Sequence, residues 1–275
     1  MKYNFLKKIL LTDLDDTLLC SDKSISDGNR AAIEEMIAAG HYFAICTGRS
    51  LTGGMKVAKQ LGLNREGCYL ICYQGNVIYD LYREEVLFEH FMDTKEALEL
   101  MGKLSAAHIY SHTYRNGRLL VPGMTKELTS YLAISGDEYH AFSDLAELQE
   151  EHLYKVISID YDKPQRLQDF CDTNQEYLDA RFNYFFSSPY FMEFISKDSG
   201  KGVGALQLAK LLGVDRGDLV ACGDERNDIS MIEAAGIGVC MANGHPEVQA
   251  VADYVTKLDN NHDGISEVIH KFILN

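Results

Sequence analysis

Apolar strands and amphipathic helices alternate at both ends of this chain, and the middle follows a different rule. In the first third the pattern reads strand Ile9–Leu11, helix Ser26–Ala39, strand Tyr42–Cys46 and helix Leu51–Leu61. Strands Tyr69–Tyr73 and Val77–Tyr79 follow across a Gln-Gly-Asn turn. Ser26 or Asp27 supplies an N-cap for the first helix, and Gly40 lies just past its end. After Lys197 the alternation returns. Helices are predicted at Gly202–Leu212, Asp228–Ala235, Pro246–Ala252 and Gly264–Phe272, with strands Leu219–Cys222, Ile237–Met241 and Tyr254–Thr256 between them. Such alternation implies a parallel sheet covered by helices. Between the two parts lies an α+β pattern. It has a hairpin turning at Asn116-Gly117, helices near Thr94–Ala107, Lys126–Ile134 and Pro164–Asn174, and strands near Tyr154–Asp160, Arg181–Ser187 and Phe191–Ile195. The expectation is antiparallel strands with helices on one face. The division expected is an α/β core of residues 1–82 and 196–275, interrupted by an inserted domain of residues 83–195.

The first strand runs straight into Asp13, Asp15 and Asp16, and apolar residues resume at once. Burying unpaired carboxylates is costly, so these charges need a counter-charge, and a divalent cation is the obvious one. Asp13 and Asp15 lie two apart, so an extended chain points both the same way. That suits one carboxylate that attacks and another that moves a proton. The second strand ends in Thr47-Gly48-Arg49, where a hydroxyl beside a glycine opens into a helix and can contact an anion. Lys201 stands at a helix start, where ammonium and helix dipole can act on one anion. The strand at Leu219–Cys222 ends in Gly223-Asp224-Glu225-Arg226-Asn227-Asp228, and Asp224 and Asp228 offer the hard oxygen ligands Mg²⁺ prefers.

Taken together, Asp-x-Asp-x-Thr, Thr-Gly-Arg, a downstream Lys and Gly-Asp-x-x-Asn-Asp resemble the haloacid-dehalogenase-like (HAD) phosphatase superfamily. The insertion, with Met192-Glu193-Phe194-Ile195, Ala242-Asn243 and Asp263-Gly264-Ile265, resembles its Cof-type (IIB cap) subfamily. The resemblance implies an α/β fold, a doubly wound, Rossmann-like parallel sheet, with the insertion as an α/β cap. It implies an aspartyl-phosphate mechanism with Asp13 as nucleophile and Asp15 as general acid, then base. Thr47, Gly48, Lys201 and Asn227 would meet the phosphoryl group. Asp13, Asp224, the Asp15 carbonyl and Asp228 would form the Mg²⁺ site. The cap would close over the site and read the leaving group. The chain departs from the family pattern at Asp16, where Gly is common, at Gln74-Gly75-Asn76 in place of Asn-Gly-Ala, and at Gly200, where Ser is usual.

Composition narrows the partners. A net charge of −15 argues against broad contact with nucleic acid or an anionic membrane, though not against a small anionic ligand. No window approaches the length needed to span a bilayer. Seven cysteines without a Cys-x-x-Cys pair fit reduced thiols and a cytoplasmic location. The expected activity is Mg²⁺-dependent hydrolysis of a small phosphorylated metabolite, a sugar phosphate or similar. Its rivals are a phosphotransferase or phosphomutase on the same scaffold, and a non-enzymatic phosphometabolite sensor.

Overall fold

The computed structural model describes residues 6–275. Two compact units are present. One comprises the residues up to Gly48 together with Gly54–Glu89 and Gly200–Asn275; the other comprises Arg49–Gly53 and His90–Ser199.

In chain order, the first unit begins with β1 (Ile9–Thr12), α1 (Asp27–Ala38) and β2 (Tyr42–Cys46). Helix α2 (Leu51–Gln60) and strands β3 (Cys68–Cys72), β4 (Val77–Asp80) and β5 (Glu85–Glu89) follow. Ser26 is the N-cap of α1: its side chain accepts from the Asn29 N–H. The second unit contains α3 (Thr94–Ala106), β6 (Tyr110–Arg115), β7 (Arg118–Val121), α4 (Lys126–Ser135) and β8 (Glu138–Ala141). It continues with β9 (Val156–Ile159), α5 (Gln165–Thr173), α6 (Gln175–Arg181), β10 (Phe182–Ser188) and β11 (Phe191–Ser196). The chain then returns to the first unit with α7 (Lys201–Leu212), β12 (Leu219–Gly223), α8 (Ile229–Ala234), β13 (Ile237–Cys240), α9 (Pro246–Val251), β14 (Tyr254–Val255) and α10 (Gly264–Val268).

The first unit's sheet has the order β14-β13-β12-β1-β2-β3-β4-β5. The strands from β14 to β3 are parallel, and β4 and β5 are added antiparallel. This is a doubly wound α/β sheet. Ile9 pairs with Tyr42 on one side and Leu219 on the other, so β1 is central and all four of its residues are buried. From β1 the chain winds one way to β2 and later the other way to β12. Open α/β sheets form their crevice at such a reversal, outside the carboxyl ends of the strands. Strand β5 carries this sheet past residue 82, the boundary read from the sequence.

The second unit's sheet has the order β10-β11-β9-β6-β7-β8. The β6–β7 hairpin turns at Asn116 and Gly117, both at positive φ (46° and 77°), as a two-residue hairpin requires. Two expectations fail here. Strand β8 pairs parallel with β7, so the sheet is not wholly antiparallel. The helices also take both faces. Leu100 and Leu104 of α3 pack with Val156, Met192 and Phe194, whereas Tyr131 of α4 packs against His112 and Phe191, which point the other way. A parallel neighbour needs a crossover, and α4 is that crossover, placed on the face α3 leaves open. No helix among the described residues is long and apolar enough to cross a membrane. All seven cysteines are buried and free.

Candidate active site

Strand β1 delivers Asp13, whose N–H donates to the Cys222 carbonyl of β12 at 2.9 Å, as though the ladder ran one residue further. The chain then makes a wide turn over Leu14–Leu18, pinned by the buried Leu14 and Leu18. Asp16 takes φ 58°, ψ 11° in this turn. That is a glycine-favoured conformation which Asp tolerates better than most residues. Its carbonyl accepts from Asn243 Nδ2 at 2.8 Å, so the Ala242-Asn243 segment steadies the loop.

Three titratable side chains converge on Asp13. Lys201, the first residue of α7, is 1% exposed, and its Nζ donates to Asp13 Oδ1 and to Asp228 Oδ1, each at 2.5 Å. Asp228 Oδ2 accepts the backbone N–H groups of Asp224 and Glu225 at 3.0 and 3.1 Å. Asp224 Oδ1 accepts from the Thr17 hydroxyl at 2.5 Å. Asp13, Asp224 and Asp228 each offer an oxygen within 4.8 Å of the others.

The electrostatics of this group are unbalanced. Burial pushes Asp13 up to about 7, against the pull of Lys201. Burial pushes Asp224 up to about 8, helped by Asp13 and Asp228. Burial alone would lower Lys201, but Asp13 and Asp228 outweigh it and hold the ammonium above its ordinary range. Three carboxylates thus face one ammonium, and an all-oxygen set short of positive charge fits a hard divalent cation.

The other predicted residues sit around this centre. Thr47 and Gly48 follow β2, next to β1; Thr47 is buried and its N–H donates to the Ile71 carbonyl at 2.8 Å. Asn227 lies in the turn Arg226–Asp228 and donates from Nδ2 to Gln74 Oε1 at 3.4 Å. Asp15 is not one of the three clustered carboxylates, though its charge acts on Asp13. Its Oδ1 accepts from Lys23 Nζ at 3.0 Å, and its side chain is 38% exposed. Three residues contribute for which the sequence supplied no role. Thr17 lies inside the Asp-x-Asp-x-Thr pattern and could have been flagged from it. Lys23 carries no spacing signal, and Gln74 stands out in the sequence only as a departure from the family pattern. Tyr73 and Gln74 both take positive φ, 51° and 60°, a conformation costing roughly 1–3 kcal/mol for a non-glycine residue.

Comparison with known proteins decides the family. The profile of the haloacid dehalogenase-like hydrolases matches residues 10–269. The chain belongs to this family. It is 30% identical over 269 residues to YxeH of Bacillus subtilis, provisionally named a phosphatase, covering 97% of this chain and 98% of that one. A haloacid dehalogenase-like hydrolase from Bacteroides thetaiotaomicron superposes with a TM-score of 0.84 at 26% identity, covering 96% of this chain and 99% of that one. The HAD subclass IIB sugar phosphatase BT4131 shares the fold, with a TM-score of 0.82 at 20% identity, covering 97% of this chain and 99% of that one.

Proposed function

We propose that this chain is a Mg²⁺-dependent phosphatase that hydrolyses a small phosphorylated metabolite through an aspartyl-phosphate on Asp13. The observation that carries the reading is Lys201 held between Asp13 and Asp228, with Asp224 alongside and too little positive charge for all three carboxylates. With its pKa raised to about 7, Asp13 would be partly protonated at neutral pH, and a protonated carboxyl is a poor nucleophile. A further cation would keep it ionised. Asp13, Asp224 and the Asp15 carbonyl would hold Mg²⁺, and Asp228 would anchor both Lys201 and the Asp224 loop. Bound there, Mg²⁺ supplies positive charge that screens the repulsion between carboxylate and phosphate.

The remaining steps belong to the chain's own groups. Thr47, the Gly48 N–H, Lys201 and Asn227 would hold the phosphoryl oxygens. An Asp13 oxygen attacks phosphorus, the bond to the leaving oxygen breaks, and Asp15 gives that oxygen a proton. Asp15, now ionised, takes a proton from water, the water oxygen attacks phosphorus, and Asp13 is released with inorganic phosphate. Asp15 must leave Lys23 to do this, and an exposed pair of this kind is weak enough to open, at ~0–1 kcal/mol. The names and folds of the relatives above support a phosphatase. The test is Asp13→Asn, which keeps the shape and removes the attacking charge. Phosphate release from a panel of phosphorylated metabolites with Mg²⁺ should fall to background in a folded variant. Substantial Mg²⁺-dependent turnover by that variant would sink the mechanism.

A further inference from the structure

The turn at Tyr73–Asn76 touches three of the candidate segments at once. The Gln74 N–H donates to the Thr47 carbonyl at 3.2 Å. The Gln74 side chain is 2% exposed, and its Oε1 accepts from Asn227 Nδ2. Its Nε2 packs so closely on Gly48 that a Cβ there would lie 2.4 Å away. Gly75, at φ 97°, presses on the backbone just before Lys201, where a Cβ would lie 2.1 Å from the Gly200 carbonyl oxygen. The loops carrying Thr47, Lys201 and Asn227 therefore meet on one short segment. That segment holds two successive non-glycine residues in the left-handed region. Such backbone persists where its surroundings over-determine it, and it clusters at functional sites.

We propose that Gln74 is a positioning residue for phosphoryl transfer: it aims the Asn227 carboxamide and braces Gly48, so the anion-binding groups stand in place before substrate arrives. The inference rests on the phosphatase reading and deepens it. A carboxamide suits the task because it carries an acceptor for Asn227 and donors on the Gly48 side in one rigid plane. An apolar side chain of equal size would fill the space and leave the Asn227 amide unaimed. Pre-set donors matter because misplacement by an ångström costs a large factor in rate.

The experiment is a double-mutant cycle on the full chain with Mg²⁺: Gln74→Ala, Asn227→Ala and both. The readouts are turnover of p-nitrophenyl phosphate, inhibition by orthovanadate and the thermal midpoint. Gln74→Ala should lower kcat/KM by about tenfold and weaken orthovanadate inhibition in proportion, with a cost below about threefold when Asn227 is already Ala. The thermal midpoint should move by only a few degrees. Gln74→Glu keeps the length and the acceptor but removes the amide donors and adds negative charge; it should lose at least as much. A kcat/KM within about twofold of wild type, equal losses in both backgrounds, or unchanged orthovanadate affinity would each overturn the proposal. If Gln74→Ala does not fold, Gln74→Gly, which accepts the left-handed backbone and likewise removes the carboxamide, serves the same cycle. Wild-type phosphate release tests the phosphatase reading separately. Orthovanadate binding by calorimetry reads the role of Gln74 even without turnover.

Discussion

Replacing Lys201 by Met separates charge from shape, because the two side chains are close in length and only the ammonium is lost. In the wild type that ammonium contacts Asp13 and Asp228, both buried. Its removal leaves two carboxylates in a dry site, and breaking a buried ion pair costs about 3–5 kcal/mol. At roughly 2–4 °C per kcal/mol for a domain of this size, the metal-free midpoint should fall by about 6–20 °C. The sign of the pH dependence follows from linkage. Without Lys201 the folded pKa of Asp13, already raised by burial, rises further, so the folded variant binds more protons than the unfolded chain. The loss should therefore be greatest near pH 8 and should shrink towards pH 5, as Asp13 takes up a proton. Scanning calorimetry of wild type and Lys201→Met in EDTA, from pH 5 to 8, measures this. A loss of the same size at every pH would refute the argument, since it would trace the damage to packing. Turnover should stay at background at every pH.

Three further outcomes are expected. In the wild type without metal, stability should fall as pH rises from about 4 to 8, because burial raises Asp13 to about 7 and Asp224 to about 8, well above the ordinary carboxylate range; added Mg²⁺ should then raise the midpoint more at pH 8 than at pH 6, and an equal or smaller shift at pH 8 would contradict it. Ca²⁺ should compete with Mg²⁺ and inhibit, because it accepts bidentate carboxylates and can occupy both Asp13 oxygens; turnover with Ca²⁺ equal to that with Mg²⁺ would count against Asp13 as nucleophile. Asp15→Asn should slow the single-turnover formation of aspartyl-phosphate from a sugar phosphate far more than from nitrophenyl phosphate, whose leaving group needs no proton; equal slowing would mean Asp15 is not the acid.

What the sequence revealed was local, and what it hid was not. Ser26 as a cap and Asn116-Gly117 as a hairpin are short-range chemistry, and each appears where its residue type demands. The strand ends at Asp13, Thr47 and Asp224 were legible because apolar runs stop at polar residues there. Strand β8 was not, because Glu-Tyr-His-Ala is exposed along its whole length and carries no alternation. Helix α6 was hidden behind Asn174, which reads as a helix stop and instead joins α5 to α6. The face taken by α4 depends on a parallel pairing that no local pattern encodes. At the site, the Asp15–Lys23 pair and the Gln74–Asn227 bond join residues whose meeting depends on loop paths, 153 positions apart in the second case.

Asp13 and Lys201 are separated by 188 positions, with the entire second unit between them. At ~5–20 residues per second, a ribosome releases Asp13 roughly 10–40 s before Lys201. Strand β1 therefore waits in the nascent chain with the Asp13 that follows it lacking its ammonium partner, and β12 emerges later still. Closing so long a loop costs entropy, and an insert that folds on its own brings its two ends together and shortens the effective loop. The middle of the chain is thus placed to act as a timer for the first unit. A mutation that slows folding of residues 90–199 should delay assembly of the central strands β1 and β12, and with them the site, without touching any residue of either.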